Sequence, residues 1–207
     1  MCKQAGRTYC VELGEDVSLW SKDCPLPKPA WIRESFKILS DVITLAEKGN
    51  IGEARTHLEY SSDLKMRAWF HVHAQNSGTW RHKALKVPAP TPILPLDIIK
   101  TFTKYEPALF ARDNFRCRYC SSEVLPKKTF KKMQLLLGES YLPLGKTNST
   151  CSGFYFSFVA TLDHVLPWSL GGRTDESNLV TCCWSCNFGK ANYTLEQLGI
   201  RNPFHLS

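Results

Sequence analysis

The chain has 207 residues, of which 43% are hydrophobic and 22% are charged. This length and apolar content suit one domain of ordinary size, or a small domain beside a medium one, and they exclude a fibrous or disordered protein. The 26 Lys and Arg residues outnumber the 19 Asp and Glu residues, and the resulting net charge of +7 favours an anionic partner.

The apolar segments are too short for a membrane protein. A membrane span needs roughly 20 apolar residues, and the longest uncharged apolar stretch is residues 154–162. The first residues also lack the charged-then-apolar pattern of a secretion signal. We therefore expect a cytoplasmic protein with no membrane partner. Because thiols stay reduced in the cytosol, the nine cysteines indicate free thiols and metal ligands more than disulfides.

The first part of the chain, residues 1–86, is expected to be a helical subdomain. Apolar residues recur at helical spacing over residues 29–49, with Gly49 as a stop signal. Two shorter helical patterns follow, at residues 51–58 and at about residues 63–75.

A proline-rich connector is expected at residues 87–96, because the four prolines there cannot lie inside a helix. The remaining residues, 97–207, would form a second domain with an insertion at about residues 121–153. A helix is expected to start near Asp97, with a disturbance at Pro107.

A strand is predicted over residues 154–162, where large apolar side chains alternate with a period of two. It runs into Asp163 and His164, and Gly171 and Gly172 then turn the chain. We therefore expect a candidate site where this strand ends and a loop begins.

Two CxxC pairs, Cys117 with Cys120 and Cys183 with Cys186, predict a zinc site. This spacing directs two thiolates of each pair towards a shared tetrahedral Zn²⁺. Four sulfur ligands leave no open position, so this zinc would be structural. The interval between the pairs is longer than in compact zinc ribbons, and two unrelated thiol pairs are the alternative.

Three residues between and beside the cysteine pairs offer the groups that phosphodiester hydrolysis needs. The reaction requires a base for the attacking water and positive charge near the leaving oxygen. His164 is neutral at cellular pH and can act as the base. The oxygens of Asp163 and Asn187 suit a catalytic divalent metal, Mg²⁺ or another such as Mn²⁺. Because neighbours in a strand point to opposite faces, Asp163 and His164 can reach one phosphate only if the strand ends or twists there.

The segments DHVLPWSLGG, SNLVT and CWSCNFGKAN resemble the signature of the HNH endonucleases, which have a ββα-metal active site. The resemblance covers about Arg112 to Gly199, with a long insertion between Cys120 and Asp163. It implies an α+β protein in which a zinc-stapled ββα-metal domain follows the helical subdomain. It also implies an enzyme that cuts DNA and leaves 5′-phosphate and 3′-hydroxyl ends.

The resemblance assigns two further roles. Asn178 would hold the loop and fix the orientation of His164. Lys190 would contact phosphate. Asn187 and Lys190 are three residues apart on a helix that begins near Cys183, so they share a face.

Basic residues outside the motif are candidates for DNA contact, namely Lys127, Lys128, Lys131, Lys132 and Arg173. The four lysines place like charges at i,i+4 on one predicted helix, which destabilises an isolated helix and favours a phosphate-facing role. A solvated helix face with no ligand is the alternative.

Two other functions stay open. One is a zinc-dependent DNA-binding module without catalysis, and the other is a nuclease that acts on RNA or structured single strands. A specific double-strand cut at a palindrome would favour a homodimer.

Overall fold

The computed structural model describes residues 14–59, 61–73, 77–94, 96, 102–147 and 150–205. Its α-helices are α1 (Ala30–Glu47), α2 (Ile51–Glu59), α3 (Asp63–His73), α4 (Ser77–Leu85), α5 (Glu106–Arg112), α6 (Lys127–Leu137), α7 (Gly153–Phe158), α8 (Trp184–Lys190) and α9 (Leu195–Leu198). The strands of these ranges are β1 (Ala160–His164) and β2 (Leu179–Cys183). Helices with one small sheet confirm the predicted α+β class.

The N-terminal helices α1, α2 and α3 confirm the three helical patterns. In α1 the buried apolar residues Ile32, Leu39, Val42 and Ala46 repeat every three to four positions or a multiple of that spacing, and so they form one apolar face. That face packs against α2, α6 and α7. Residues 74 and 75, the expected end of α3, lie outside the described residues.

The insertion, and helix α7 directly after it, contribute to the same core as the N-terminal helices. Phe130, Met133 and Leu137 of α6 and Phe154 and Phe158 of α7 are buried in one cluster with residues of α1 to α3. The insertion therefore packs onto helices that precede the proline-rich connector. The domain limits at residues 1–86, 87–96 and 97–207 stay a prediction.

The second core surrounds a strand–strand–helix unit. Strands β1 and β2 pair antiparallel, from Ala160 opposite Cys183 to His164 opposite Leu179. Helix α8 follows β2 without a connecting loop. This unit therefore has the ββα order that the resemblance implies.

The predicted strand over residues 154–162 is wrong for most of its length, because residues 153–158 form helix α7 and the strand begins at Ala160. Ser152 caps the helix by accepting a hydrogen bond from the backbone N–H of Phe154. Most side chains of α7 are buried, and a helix buried nearly all round shows no polar face for a sequence pattern to reveal.

The helix start expected near Asp97 falls on residues 97–101, which lie outside the described residues. The residues that follow do not form one continuous helix, because Phe102–Lys104 is a 3-10 turn and α5 begins at Glu106. Pro107 lies in the first turn of α5, where its missing N–H leaves no bond unmade. Pro107 thus starts a helix and does not disturb one.

The sequence pattern did not indicate α4, which carries a buried arginine. Arg81 is 1% exposed and donates hydrogen bonds to the carbonyl oxygens of Ser21, Cys24, Pro25 and Leu198. It therefore ties the segment before α1 to the C-terminal part of the chain.

The helices in the described ranges include none with the length and apolar character that crossing a lipid bilayer requires.

Two glycine substitutions test the packing of α7 on α3. A Cβ on Gly153 would lie 2.5 Å from Cβ of Met66 and 2.6 Å from the carbonyl oxygen of Asp63, so Gly153→Ala should push α7 away from α3. We expect a loss of about 1–3 kcal/mol in the free energy of unfolding. Gly52→Ala is the control, because a Cβ there meets no atom within 4 Å and should gain up to about 1 kcal/mol in a helix. Equal denaturation midpoints for the two variants would contradict the packing of α7 on α3.

Candidate active site and metal centre

The four predicted zinc ligands meet at one point. Cys117 and Cys120 lie in the turn after α5, Cys183 ends β2, and Cys186 lies in α8. Their Sγ atoms all lie within 4.8 Å of one another, and those of Cys120 and Cys183 are 3.8 Å apart. A tetrahedral Zn–S₄ site with ordinary bond lengths places its sulfurs about 3.8 Å apart. The two pairs therefore form one cluster, which fits a structural metal such as zinc.

A cleft of about 470 Å³ opens at the end of β1, and we call it the His164 cleft. Asp163, His164 and Asn187 all contribute to its lining. The strand ends at His164, which is how two neighbouring residues of β1 reach the same cleft. The structure therefore brings the three predicted chemical groups together.

Asp163 is 6% exposed, and two side chains hold its carboxylate. The Tyr119 hydroxyl donates to Oδ2 at 2.7 Å, while Nζ of Lys190 lies 3.3 Å from Oδ2 and 3.5 Å from Oδ1. Burial raises the pKa of Asp163, and the Lys190 ammonium and the Tyr119 hydrogen bond oppose that rise. Among the contacts of the described residues, Oδ1 has the weaker set, so it is the oxygen better placed for a further partner.

Lys190 contributes to the wall of the His164 cleft, but its side chain is buried. Its side chain is 1% exposed, and Nζ donates to the carbonyl oxygen of His164 at 2.7 Å. The phosphate contact expected from the resemblance does not fit an ammonium enclosed by that carbonyl and by Asp163. The position of Lys190 fits a structural role, in which it links α8 to the end of β1.

His164 is partly buried in the lining of the cleft. Its Nε2 lies 3.0 Å from Oγ1 of Thr174, and the ring of Phe102 meets the imidazole edge-on at 5.2 Å between centroids. Burial lowers the pKa of His164 below its ordinary value, and the nearby Asp163 carboxylate partly opposes that shift. The imidazole is therefore neutral near pH 7 and able to accept a proton.

Asn187 is oriented by the first strand. Its Nδ2 donates to Oγ1 of Thr161 at 3.2 Å and to the carbonyl oxygen of Leu162 at 3.1 Å. Because the amide nitrogen is held by β1, the amide oxygen is the atom of this side chain left for a ligand.

Asn178 closes the loop that follows β1. Its Nδ2 donates to the carbonyl oxygens of Leu166 and Arg173, both at 3.0 Å, and its Oδ1 accepts from the N–H of Leu166 at 2.8 Å. A Cβ on Gly172 would lie 1.8 Å from the Leu166 carbonyl oxygen, so this loop requires glycine there. These bonds are consistent with a loop-holding role, and an effect of Asn178 on the orientation of His164 stays a prediction.

The comparisons with known proteins bear on the part of the chain that builds this cleft. Residues 154–202 match the family model of the HNH endonucleases. These residues form an HNH endonuclease domain. The family consists of nucleases that use divalent metals, so the domain indicates nuclease activity on nucleic acid. No curated protein and no solved structure matches the chain.

Two cysteines of the cluster lie outside the match to the HNH family. Cys117 and Cys120 precede the matched residues by more than thirty positions, yet they share one cluster with the matched Cys183 and Cys186. The cysteine cluster therefore fixes the HNH domain to the segment after α5.

Lys28 contacts the cysteine cluster, although no sequence motif marks it. It is 3% exposed, and Nζ lies 3.3 Å from Sγ of Cys183 and 3.0 Å from the carbonyl oxygen of Ser157. Among the described residues, no carboxylate forms an ion pair with it. Burial alone would lower the pKa of Lys28, but the thiolates of Cys120 and Cys183 outweigh burial and hold that pKa well above its usual range.

A buried ammonium needs a negatively charged partner, and metal-bound thiolates supply one. Cys24, four residues before Lys28, also reaches the cluster, with its Sγ 3.7 Å from Sγ of Cys186. Neither residue belongs to a spacing motif, so no sequence signal identifies them. Tyr119 lies inside the first CxxC pair, and Thr174 lies in the loop after β1. A tyrosine or a threonine at these positions does not by itself indicate a functional residue.

The predicted DNA-contacting residues other than Lys190 lie on exposed surface. Lys127, Lys128, Lys131 and Lys132 are exposed on α6. Nζ of Lys132 lies 2.6 Å from Glu47, and the 77%-exposed side chain of Arg173 pairs with Asp175 at 2.8 Å. Contact of these residues with DNA stays a prediction.

Replacing Lys28 tests the charge of the cluster. Lys28→Met keeps an unbranched side chain, one atom shorter, and removes the charge that faces the Cys183 thiolate. We expect metal affinity to fall by about 10- to 100-fold, the usual effect of removing a partner of a metal ligand. Transfer of zinc to a chromogenic chelator would measure this, with the exposed Lys48→Met as the control. Identical zinc transfer from both variants would show that Lys28 does not compensate the thiolates.

Proposed function

We propose that this protein is a metal-dependent endonuclease that hydrolyses phosphodiester bonds of DNA and leaves 5′-phosphate and 3′-hydroxyl ends. The observation that carries the proposal is the meeting of Asp163, His164 and Asn187 in one cleft at the end of β1. A DNA-binding module without catalysis would have no need of these three groups together. The HNH match supports the reaction class.

His164 is the general base in this proposal. We assign the tautomer in which Nε2–H donates to Oγ1 of Thr174, and this assignment leaves the lone pair of Nδ1 to accept the proton of the attacking water. The lowered pKa of His164 keeps that lone pair available near pH 7. Thr174 is then a positioning residue.

Asp163 and Asn187 fit a hard divalent cation. They place a carboxylate oxygen and an amide oxygen in one cleft, and Mg²⁺ commonly binds through one or two protein oxygens while it keeps several waters. Bound there, Mg²⁺ or Mn²⁺ would supply positive charge to the leaving oxygen. Tyr119 and Lys190 hold the Asp163 carboxylate in place.

Charge supports a nucleic acid, DNA in this proposal, as the substrate. The net charge of +7 and the exposed lysines of α6 provide a surface for phosphates. Arg173, on the loop after β1, adds a further exposed cation. RNA carries the same phosphates, so cleavage assays need both nucleic acids.

Replacing His164 tests the assigned base. We expect His164→Ala to slow Mg²⁺-dependent cleavage of supercoiled plasmid by about 10²- to 10⁴-fold, the usual loss for a positioned base. The exposed His57→Ala in α2 is the control and should cleave normally. Near-normal nicking by His164→Ala would remove this residue from the mechanism.

The same base predicts the pH dependence of cleavage. The base must be unprotonated, and burial lowers the pKa of His164 below the ordinary value of 6.5. The pH at which the wild-type rate falls to half should therefore lie below 6.5. A rate that already halves well above pH 6.5 would contradict the assignment.

Metal titration tests the ligands. Asp163→Ala and Asn187→Ala should each raise the Mg²⁺ concentration for half-maximal cleavage by about tenfold or more. Asn192→Ala is the control, because Asn192 lines the same cleft and is not assigned as a ligand. Unchanged titrations for both ligand variants would show that the metal binds elsewhere.

The salt dependence of binding tests the lysines of α6. Replacing Lys127, Lys128, Lys131 and Lys132 with Gln should flatten the slope of log affinity against log salt by about 0.9 for each lost phosphate contact. The slope should flatten by about 3 to 4 in total if every lysine contacts a phosphate. The ion pair with Glu47 should reduce the contribution of Lys132 to this change. The exposed Lys37→Gln and Lys48→Gln serve as controls. An unchanged slope would leave α6 a solvated face.

A further inference from the structure

Three aromatic rings form a stack that runs from the protein core to the His164 cleft. Phe156 of α7 is 3% exposed, and its ring centroid lies 4.6 Å from that of Trp184, with the two planes tilted by 32°. The ring of Trp184 in turn stacks on Phe188 at 3.8 Å with 27° between the planes. Phe188, the last ring, is 42% exposed. The stack is therefore anchored in the core and exposed at its outer end.

The exposed end of the stack lies at the proposed reaction centre. Phe188 lines the His164 cleft and directly follows the assigned metal ligand Asn187 in α8. Phe102 and Trp168 contribute two further aromatic rings to the same lining.

Apart from the proposed metal, the described lining of the cleft has few positively charged groups that could bind a phosphate. Among its described lining residues, Lys190 is the sole lysine or arginine, and its ammonium is enclosed by Asp163 and the carbonyl of His164. Aromatic surface beside a reaction centre with few cations suits the flat face of a nucleobase better than a run of phosphates.

We propose that Phe188 is a stacking platform for an unpaired nucleobase next to the scissile phosphate. The inference rests on the proposed nuclease function and names its substrate class: a strand that is single, or locally opened, at the cut. In an undistorted duplex each inner base is covered on both faces by its neighbours, so a protein ring can stack only where the helix is opened, at an unstacked step or at a base that has left the helix. Such a base would add one more ring to the series Phe156, Trp184 and Phe188.

Binding of the full chain to DNA tests the platform without cleavage. All variants carry His164→Ala, and affinities are measured by fluorescence anisotropy at one salt concentration. The probes are a thymidine oligonucleotide, a duplex of equal length, and a single strand of that length in which every nucleotide lacks its base. Loss of one stacked base should lower affinity for the thymidine strand by about 5- to 150-fold in Phe188→Ala.

The control variant is Phe115→Ala, which removes a ring of similar exposure, 45%, that does not line the cleft. Phe188→Leu keeps apolar contact with Trp184 but loses the ring, and should weaken binding of the thymidine strand as Phe188→Ala does. Phe188→Trp should restore it. Affinity for the duplex and for the strand with missing bases should not depend on Phe188, and Phe115→Ala should change no affinity.

The proposal would be wrong if Phe188→Ala lost affinity equally for the duplex and for the thymidine strand. It would also be wrong if Phe188→Ala lost no affinity for the thymidine strand. Cleavage by the protein with His164 intact separates this result from the nuclease proposal. If plasmid is cut in a His164-dependent manner but Phe188→Ala binds the thymidine strand normally, the nuclease proposal stands and the platform fails. If neither DNA nor RNA is cut, the nuclease proposal fails, whatever Phe188 does to binding.

Discussion

The cluster of Cys117, Cys120, Cys183 and Cys186 is the constraint on which the rest of the site depends. Four thiolates at these distances repel one another, and a bound cation is what makes their approach favourable. The cluster connects the turn after α5 to the end of β2 and the start of α8. Lys28 adds a buried positive charge from the segment before α1.

Helix α8 transmits the geometry of the cluster to the His164 cleft. The seven residues of α8 include a cysteine of the cluster, the proposed metal ligand Asn187, the exposed ring of Phe188 and the buried Lys190. Asn187 and Lys190 both bond to β1, so the helix and the strand hold each other at the point where Asp163 and His164 emerge. A displacement of Cys186 would therefore move groups on both sides of the cleft.

The sequence predicted the parts of this arrangement that follow from spacing. The two CxxC pairs meet as expected, and Asp163, His164 and Asn187 share a cleft because β1 ends at His164. Spacing could not predict contacts made by single residues that are distant in sequence, such as Lys28 with Cys183. It also misjudged residues 154–158, where burial on nearly all sides removed the polar face that marks a helix. Lys190 was expected to contact phosphate, but it is buried in an ion pair with Asp163, which no helical pattern encodes.

Removal of the structural metal tests the account most directly. The purified chain would be analysed for zinc, stripped with a chelator under native conditions, and followed by amide hydrogen exchange and by cleavage of DNA with Mg²⁺ present. We expect one zinc per chain. We also expect that stripping removes the protection of amides in β1, β2 and α8 together with cleavage, and that zinc but not Mg²⁺ restores both. A metal-free chain that keeps its amide protection and its cleavage activity would contradict the dependence of the site on the cysteine cluster.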